Sequence, residues 1–355
     1  MSSLIGQQID RYRVLAHIDR GGMADVYLAE DVDLQRAVAL KVMLDTLTAD
    51  EQFVQRFRRE AQMVARLDHP NIVQVYRTGV TDDNRPYIAM QYIDGGSLRD
   101  RLRHFAAENQ LVPTAQALAI VRQVAVALGV AHAAGIIHRD LKPGNVLLKE
   151  NGTPVLVDLG IAAVQGGARL TSTGNLIGTP HYMSPEQVRG LRLDGRSDLY
   201  SLGVILYELL SGERPFEASE SVAVLHQHVY EPPPALMDRR PDLTPQTLHL
   251  VEKALAKAPE RRYATAAEMV ADVDAALLAE SGGAPLRPTT VWLPEPQARD
   301  LLPRSEVISR QTPAAAVGDA PGEAVGPAGR RRGGLWAGLA LLLLAGAAVA
   351  FVLWG

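Results

Sequence analysis

The chain has no cysteine among its 355 residues. That excludes disulfides, thiolate metal sites and thiol nucleophiles, and it suits a reducing compartment. Lysine is nearly as scarce: five of the 36 basic residues are lysines, at Lys41, Lys142, Lys149, Lys253 and Lys257. Where arginine is written almost everywhere else, a lysine marks a place that needs a compact ammonium rather than a planar fork. A strong excess of one charge is missing too. The formal net charge is −4, so the bulk balance gives no reason to expect nucleic acid as a partner. What is present is length, which exceeds one ordinary core and predicts two lobes or two domains with extras.

Residues 12–278 read as globular, after a short N-terminal extension over 1–11. The segments "RYRVLAHI", "DVYLAE", "AVALKVML", "IVQVYRTGV" and "PYIAMQYI" are short apolar or alternating runs that predict strands. Between the third and fourth lies "DEQFVQRFRREAQMVARL", a helical pattern, and Asp82, Asp83 and Asn84 mark a turn between the last two. After Gly95 and Gly96 the chain turns helical, around 98–104, 114–134, 198–211 and 248–256. This is an α+β order, a small strand-rich lobe (12–93) followed by a larger helical lobe (94–278). Residues 279–334 are rich in Pro, Ala and Gly without periodicity and predict a disordered linker. The linker ends in Arg330–Arg332, and the twenty residues 335–354 carry no charge, enough to span a bilayer as a helix with Trp336 and Trp354 at its interfaces. The arginines on its N-terminal side predict a single-pass protein of the cell membrane, with residues 1–334 cytoplasmic, the C-terminus outside and no extracellular domain.

Three constellations carry chemistry. The octet "HRDLKPGN" (His138 to Asn145) sets a carboxylate, two cations and an amide between apolar runs, and is followed by "VLLKENGTPVLVDLG". Asn151-Gly152 is a two-residue hairpin signal. A turn centred there pairs positions that sum to 303 and sets Asn145 opposite Asp158, with Asp140 just before them. A few hard oxygen ligands suit Mg²⁺, which accepts the rest of its shell from substrate phosphates; the alternative is a loop carboxylate capping backbone donors. The second constellation is Lys41, inside an apolar strand, and Glu60, which shares the face of Phe53, Phe57 and Val64 on the following helix. A buried cation and anion on neighbouring elements need each other, either to hold a third charged group or as a plain structural bridge. The third is "IDRGGMADV", where Gly21 and Gly22 let a hairpin tip approach a phosphate, or simply turn the chain.

Taken together, "VALK", "FRREAQ", "HRDLKPGN", "DLG", "GTPHYMSPE", "SDLYSLG" and "PERRY", in that order, resemble the eukaryotic-like protein kinases, and among them the bacterial membrane-anchored Ser/Thr kinases. The resemblance implies a bilobal fold, ATP as phosphate donor, Mg²⁺ (or Mn²⁺) as cofactor and Ser/Thr hydroxyls of proteins as acceptors. It implies that Lys41 meets the α/β-phosphates and is held by Glu60, that Asp140 accepts the hydroxyl proton, and that Lys142 meets the γ-phosphate. Asn145 and Asp158 would hold the metal. Ile18, Asp19, Gly21, Gly22, Val26, Ala39, Met90, Gln91, Ile93 and Leu147 would enclose the nucleotide, with backbone groups of Gln91 and Ile93 on adenine and Met90 guarding the pocket behind. Glu186 and Arg262 would form a structural bridge. Val64, Val75, His138 and Leu159 resemble the family's apolar column between the lobes.

The pattern breaks in two places. Asp19 and Ala24 stand where the family's loop has glycines, and Asp19 brings a Cβ and a negative charge toward the phosphates. Leu159 replaces a phenylalanine and keeps an apolar contact. The segment "ARLTSTGNLIGTP" corresponds to the activation loop, so Thr171 and Thr173 are expected autophosphorylation sites, with Arg139 as the cation that receives a phosphate. The resemblance admits a homodimer through the small lobe, although no feature here requires one. Two rival readings remain at this level: a membrane-tethered pseudokinase scaffold that binds nucleotide and transfers poorly, which Asp19 favours, and a small-molecule kinase, which the docking-loop motif "GTPHYMSPE" disfavours.

Overall fold

The computed structural model describes residues 4–159 and 180–282. Gly160, Thr171, Thr173, most of the linker and the apolar run 335–354 lie outside them.

The small lobe is one antiparallel sheet in the order β1-β2-β3-β4-β6-β5. Its strands are β1 (Gln8–Ile9), β2 (Tyr12–Arg20), β3 (Ala24–Asp31), β4 (Arg36–Met43), β5 (Val75–Val80) and β6 (Pro86–Gln91), with helix α1 (Glu51–Val64) between β4 and β5. β4 reads as an apolar run interrupted only by Lys41 from Ala37 to Met43, because it is central, flanked by β3 and β6, and Val38 to Met43 are all buried. Helix α1 starts where the Asp50 carboxylate accepts from the Gln52 N–H, and it buries Phe57, Glu60, Ala61 and Val64 at three- and four-residue steps. Phe53, expected on the same face, is only half-buried. The lobe begins earlier than expected. Leu4 and Ile9 are buried with Tyr12 and Val14, and Ile9 pairs with Tyr12, so Gln8–Ile9 form an edge strand and Leu4 packs in the lobe rather than in an extension.

The large lobe carries α2 (Leu98–Ala107), α3 (Thr114–Ala133), the hairpin β7 (Val146–Leu148) and β8 (Pro154–Leu156), then α4 (Pro185–Val188), α5 (Gly195–Ser211), α6 (Ser221–Tyr230), α7 (Leu236–Arg239), α8 (Pro245–Ala254) and α9 (Ala266–Glu280). The last helix runs two residues past the expected boundary at 278. Helices α3 and α5 are apolar on nearly every side because both lie inside the lobe. Among the described residues, α3 is the one helix long and apolar enough to cross a membrane, and most of it is buried core. The carboxylate of Asp194 caps α5, and Gly212 closes it at φ +76°.

The β7–β8 hairpin differs from expectation by one residue. Val146 pairs with Leu156 and Leu147 with Val155, positions that sum to 302, and Asn145 lies opposite Val157, whose N–H donates to the Asn145 carbonyl at 3.0 Å. A two-residue turn at Asn151-Gly152 needs positive φ at both; here only Gly152 has it, at +77°. The chain instead closes a turn from Lys149 to Gly152 (N–H to carbonyl, 2.7 Å), and a second bond runs from the Lys149 N–H to the Thr153 carbonyl. One extra residue in the loop moves the register by one.

Candidate active site

The catalytic loop and the hairpin behind it gather four of the expected side chains. The carboxylate oxygen Oδ2 of Asp140 accepts from Lys142 Nζ at 2.6 Å and from Asn145 Nδ2 at 3.1 Å, and the same Nδ2 also donates to the Asp140 carbonyl at 2.8 Å. Across from this knot, Lys41 Nζ donates to Asp158 Oδ1 at 2.8 Å. Burial would raise the Asp158 carboxyl, but the Lys41 charge and hydrogen bond, helped by His138 and Lys142, outweigh it and hold the group below its ordinary value. Lys142 is thus bonded to one aspartate, and its charge also acts on the other.

The expected Lys41–Glu60 ion pair is not formed. Both residues are buried, at 6 and 8 % exposure, yet Lys41 spends its hydrogen bond on Asp158, and Glu60 has no ion-pair partner among the described residues. Burial pushes the Glu60 carboxyl up to about 8, and Lys41 offsets this only in part. An ammonium at the end of β4 can reach an aspartate after β8 or a carboxylate on α1, and here the aspartate, the stronger acid, takes it. The expected facing of Asn145 and Asp158 changes with the hairpin register. Asn145 faces Val157 instead, and its amide turns to Asp140.

These oxygens fit a divalent cation. Asn145 turns its nitrogen to Asp140, and among the described residues neither its Oδ1 nor Asp158 Oδ2 receives a hydrogen bond. Two hard oxygens with room for water and phosphate oxygens suit Mg²⁺ or Mn²⁺ better than a softer ion.

The apolar residues expected around the nucleotide meet in one cluster. Ala39, Met90 and Ile93 belong to the buried core, with Val26 and Leu147 packed against it. Register explains their meeting: Ala39 pairs with Met90, and Val26 with Lys41. The Gln91 N–H already donates to the Gln74 carbonyl at 2.8 Å, so a ligand cannot use it, whereas the Ile93 N–H and carbonyl make no backbone bond with the described residues. Ile18, Asp19, Gly21 and Gly22 are exposed around the β2–β3 tip. The Asp19 carboxylate turns back to the Arg20 N–H at 2.8 Å, so its charge sits in solvent, where salt screens it.

Sequence reading missed Asp198. This residue of α5 is 1 % exposed, and its carboxylate accepts from the His138 N–H (2.8 Å), the Arg139 N–H (2.9 Å) and His132 Nε2 (2.7 Å). It fixes the backbone on which Asp140 rides. Arg139 and Asp158 both take positive φ, 67° and 59°, a strain for residues with a Cβ that persists only when surroundings impose it. The Asp198 clamp, with Gln187 Nε2 donating to the Arg139 carbonyl at 2.6 Å, does so at Arg139. Gly195 is needed beside it, because a Cβ there would meet the His132 ring at 2.5 Å. A signal existed: a charged residue in a helix apolar all round is costly unless fully hydrogen-bonded.

The Glu186–Arg262 pair forms. Arg262 Nη1 and Nη2 donate to Glu186 Oε1 and Oε2 at 2.8 and 2.9 Å, and Ser197 Oγ donates to Oε1 at 2.6 Å. Of the apolar column, Val64, His138 and Leu159 are buried, and Val75 is half-buried against the same core.

A family model, protein kinase domain, matches residues 12–273. Among curated proteins the chain is 46% identical over 269 residues to the serine/threonine-protein kinase PknB of Mycolicibacterium smegmatis, covering 74% of this chain and 42% of that one. It is 41% identical over 278 residues to the serine/threonine-protein kinase PrkC of Bacillus subtilis, covering 78% and 42%. The chain thus spans less than half the length of these relatives. Among solved structures, the PknI kinase domain of M. tuberculosis aligns with a TM-score of 0.61 at 32% identity, over 79% of this chain and all of that one.

Proposed function

The chain belongs to the protein kinase domain family, and from that premise we propose that it is a serine/threonine protein kinase that moves the γ-phosphate of ATP to hydroxyls of proteins. The observation that carries the reading is the knot of Asp140, Lys142 and Asn145 facing the Lys41–Asp158 pair. Phosphoryl transfer asks the protein for placement and charge neutralisation more than for covalent chemistry. Asp140, held by Lys142 and Asn145, presents a carboxylate to an incoming hydroxyl and takes its proton. Lys142 is the cation nearest that carboxylate and is placed to meet the negative charge that gathers on the transferred group. Lys41 meets the α/β-phosphates from the opposite wall. Asn145 Oδ1 and Asp158 Oδ2 would hold the divalent ion, Mg²⁺ or Mn²⁺, which supplies further positive charge at the phosphates when bound.

Adenine would lie against Val26, Ala39, Met90 and Leu147, reaching the Gln91 carbonyl and the Ile93 backbone. The scaffold alternative loses ground, because each residue with a chemical role is present and the exposed Asp19 carboxylate is engaged by the Arg20 N–H. Finer expectations belong to the same proposal. Thr171 or Thr173 becomes phosphorylated, with Arg139 as the receiving cation, and residues 335–354 anchor the protein in a bilayer with the catalytic domain on the cytoplasmic side.

The test is transfer of labelled γ-phosphate to a generic protein acceptor with Mg²⁺. Asp140→Asn should cost about a hundredfold or more. Equal residual transfer by both proteins would return the scaffold reading.

A further inference from the structure

The entrance to the Asp140 site carries an arginine that no described residue engages in an ion pair or hydrogen bond. Arg99, in the first turn of α2, is exposed and makes no ion pair or hydrogen bond with the described residues. Its guanidinium lies across Gly144: a Cβ built on that glycine would meet Arg99 Nη2 at 2.5 Å. Gly144 stands between Lys142 and Asn145, the two residues bonded to the Asp140 carboxylate. The guanidinium therefore edges the turn that presents the proton acceptor, and the missing side chain at 144 is what lets it lie there.

The neighbouring charges are already spent. Tyr182 donates its hydroxyl to Glu208 Oε2 at 2.6 Å, and both groups lie within the field of Arg99 and Arg214. Glu208 is thus capped, and burial holds its carboxyl above the usual range. Arg214 is bonded to Glu217 at 2.7 Å, and His181 leans on the same carboxylate at 3.6 Å. Lys142 is on Asp140. Among the described residues named here, Arg99 is the entrance cation without a bonded partner, and each carboxylate beside it is already bonded.

We propose that Arg99 is a specificity-determining residue that receives an acidic side chain of the acceptor protein, close to the hydroxyl being phosphorylated. This rests on the kinase reading above. The guanidinium fork matches a carboxylate or a phosphate group, and a lysine or arginine in that place would meet like charge.

The experiment uses the full chain and one acceptor peptide in which a single residue is walked along both sides of the hydroxyl as Glu, phosphoserine, Ala or Lys. At the responsive position wild type should favour Glu and phosphoserine over Lys by roughly three- to tenfold, mainly through KM, as expected of an exposed pair. Arg99→Glu should invert that order, and raising the salt should compress both preferences. Arg103→Glu, an exposed arginine of the same helix, makes the same change in net charge and should keep the wild-type order. Phosphoserine well above Glu would assign the place to a phosphate, and equality to a carboxylate. The proposal is overturned if Arg99→Glu leaves the order unchanged, or if Arg103→Glu shifts it as far. Absence of transfer from wild type to every peptide would overturn the kinase reading itself, and this proposal with it.

Discussion

Glu186 and Arg262, in the large lobe, form a closed unit; Lys41 and Glu60, in the small lobe, do not. All five Arg262 N–H groups are used, on both oxygens of Glu186 and on the carbonyls of Arg196, Ala256 and Lys257. Glu186 is held well below its ordinary carboxyl value despite burial, because Arg262 and Ser197 bond it. Glu60 is nearly as buried, but burial wins there and keeps its proton. One pair is finished in the resting chain and serves the fold. The other is left open where a triphosphate and a cation would complete it, so its cost is offset only when ligand arrives.

The largest test of that contrast is removal of one cation from each pair. Arg262→Leu strands a buried carboxylate and should cost about 3–5 kcal/mol in denaturant unfolding. Lys41→Met should cost about 1 kcal/mol or less, because its partner Asp158 is 38 % exposed and can turn to water. Equal losses would erase the distinction.

Ligand supplies the next test. Saturating ATP with Mg²⁺, at about a hundred times the Kd, should stabilise wild type by about 2.7 kcal/mol. Lys41→Met should lose most of that gain. A Tm shift of the same size in both proteins would mean that Lys41 does not meet the phosphates.

Glu60 gives a smaller, pH-dependent effect. Its carboxyl is pushed up to about 8 from 4.5, so between those values the folded chain holds a proton that the unfolded chain releases. The stability this contributes is present in full below about 4.5 and is lost as pH rises toward 8. Glu60→Gln keeps the shape and has no proton to lose. Its Tm relative to wild type should therefore rise across that range. A Tm difference independent of pH would mean that Glu60 is ionised throughout.

The two lobes also differ in how much the sequence reveals. β4 and α1 were legible because each has a single exposure pattern, an apolar run interrupted only by Lys41 or a clean stripe. Helix α9 gave no sharp period because it packs on both α3 and α8, so apolar and small residues fall on several faces; α6 escaped for a similar lack of a stripe. The residues of the octet were legible as chemistry, since their spacing lies within one turn of chain. Their orientation was not. The choice of Asp158 over Glu60 by Lys41 depends on elements 117 residues apart, and the Asp198 clamp on ones about 60 apart. No local spacing encodes such distances.

The smallest effect lies in the turn that misled the register. A two-residue turn would need left-handed backbone at both Asn151 and Gly152, so alanine would be costly at either. In the observed turn only Gly152 is left-handed, while Asn151 does no more than accept the Thr153 N–H on its side-chain oxygen at 3.0 Å. Gly152→Ala should therefore destabilise by about 1 kcal/mol or slightly more, and Asn151→Ala by about half of that, the worth of one exposed hydrogen bond. Equal losses at the two positions in denaturant unfolding would restore the two-residue turn. The pairing sum of 303 would return with it, and Asn145 would then stand directly opposite Asp158.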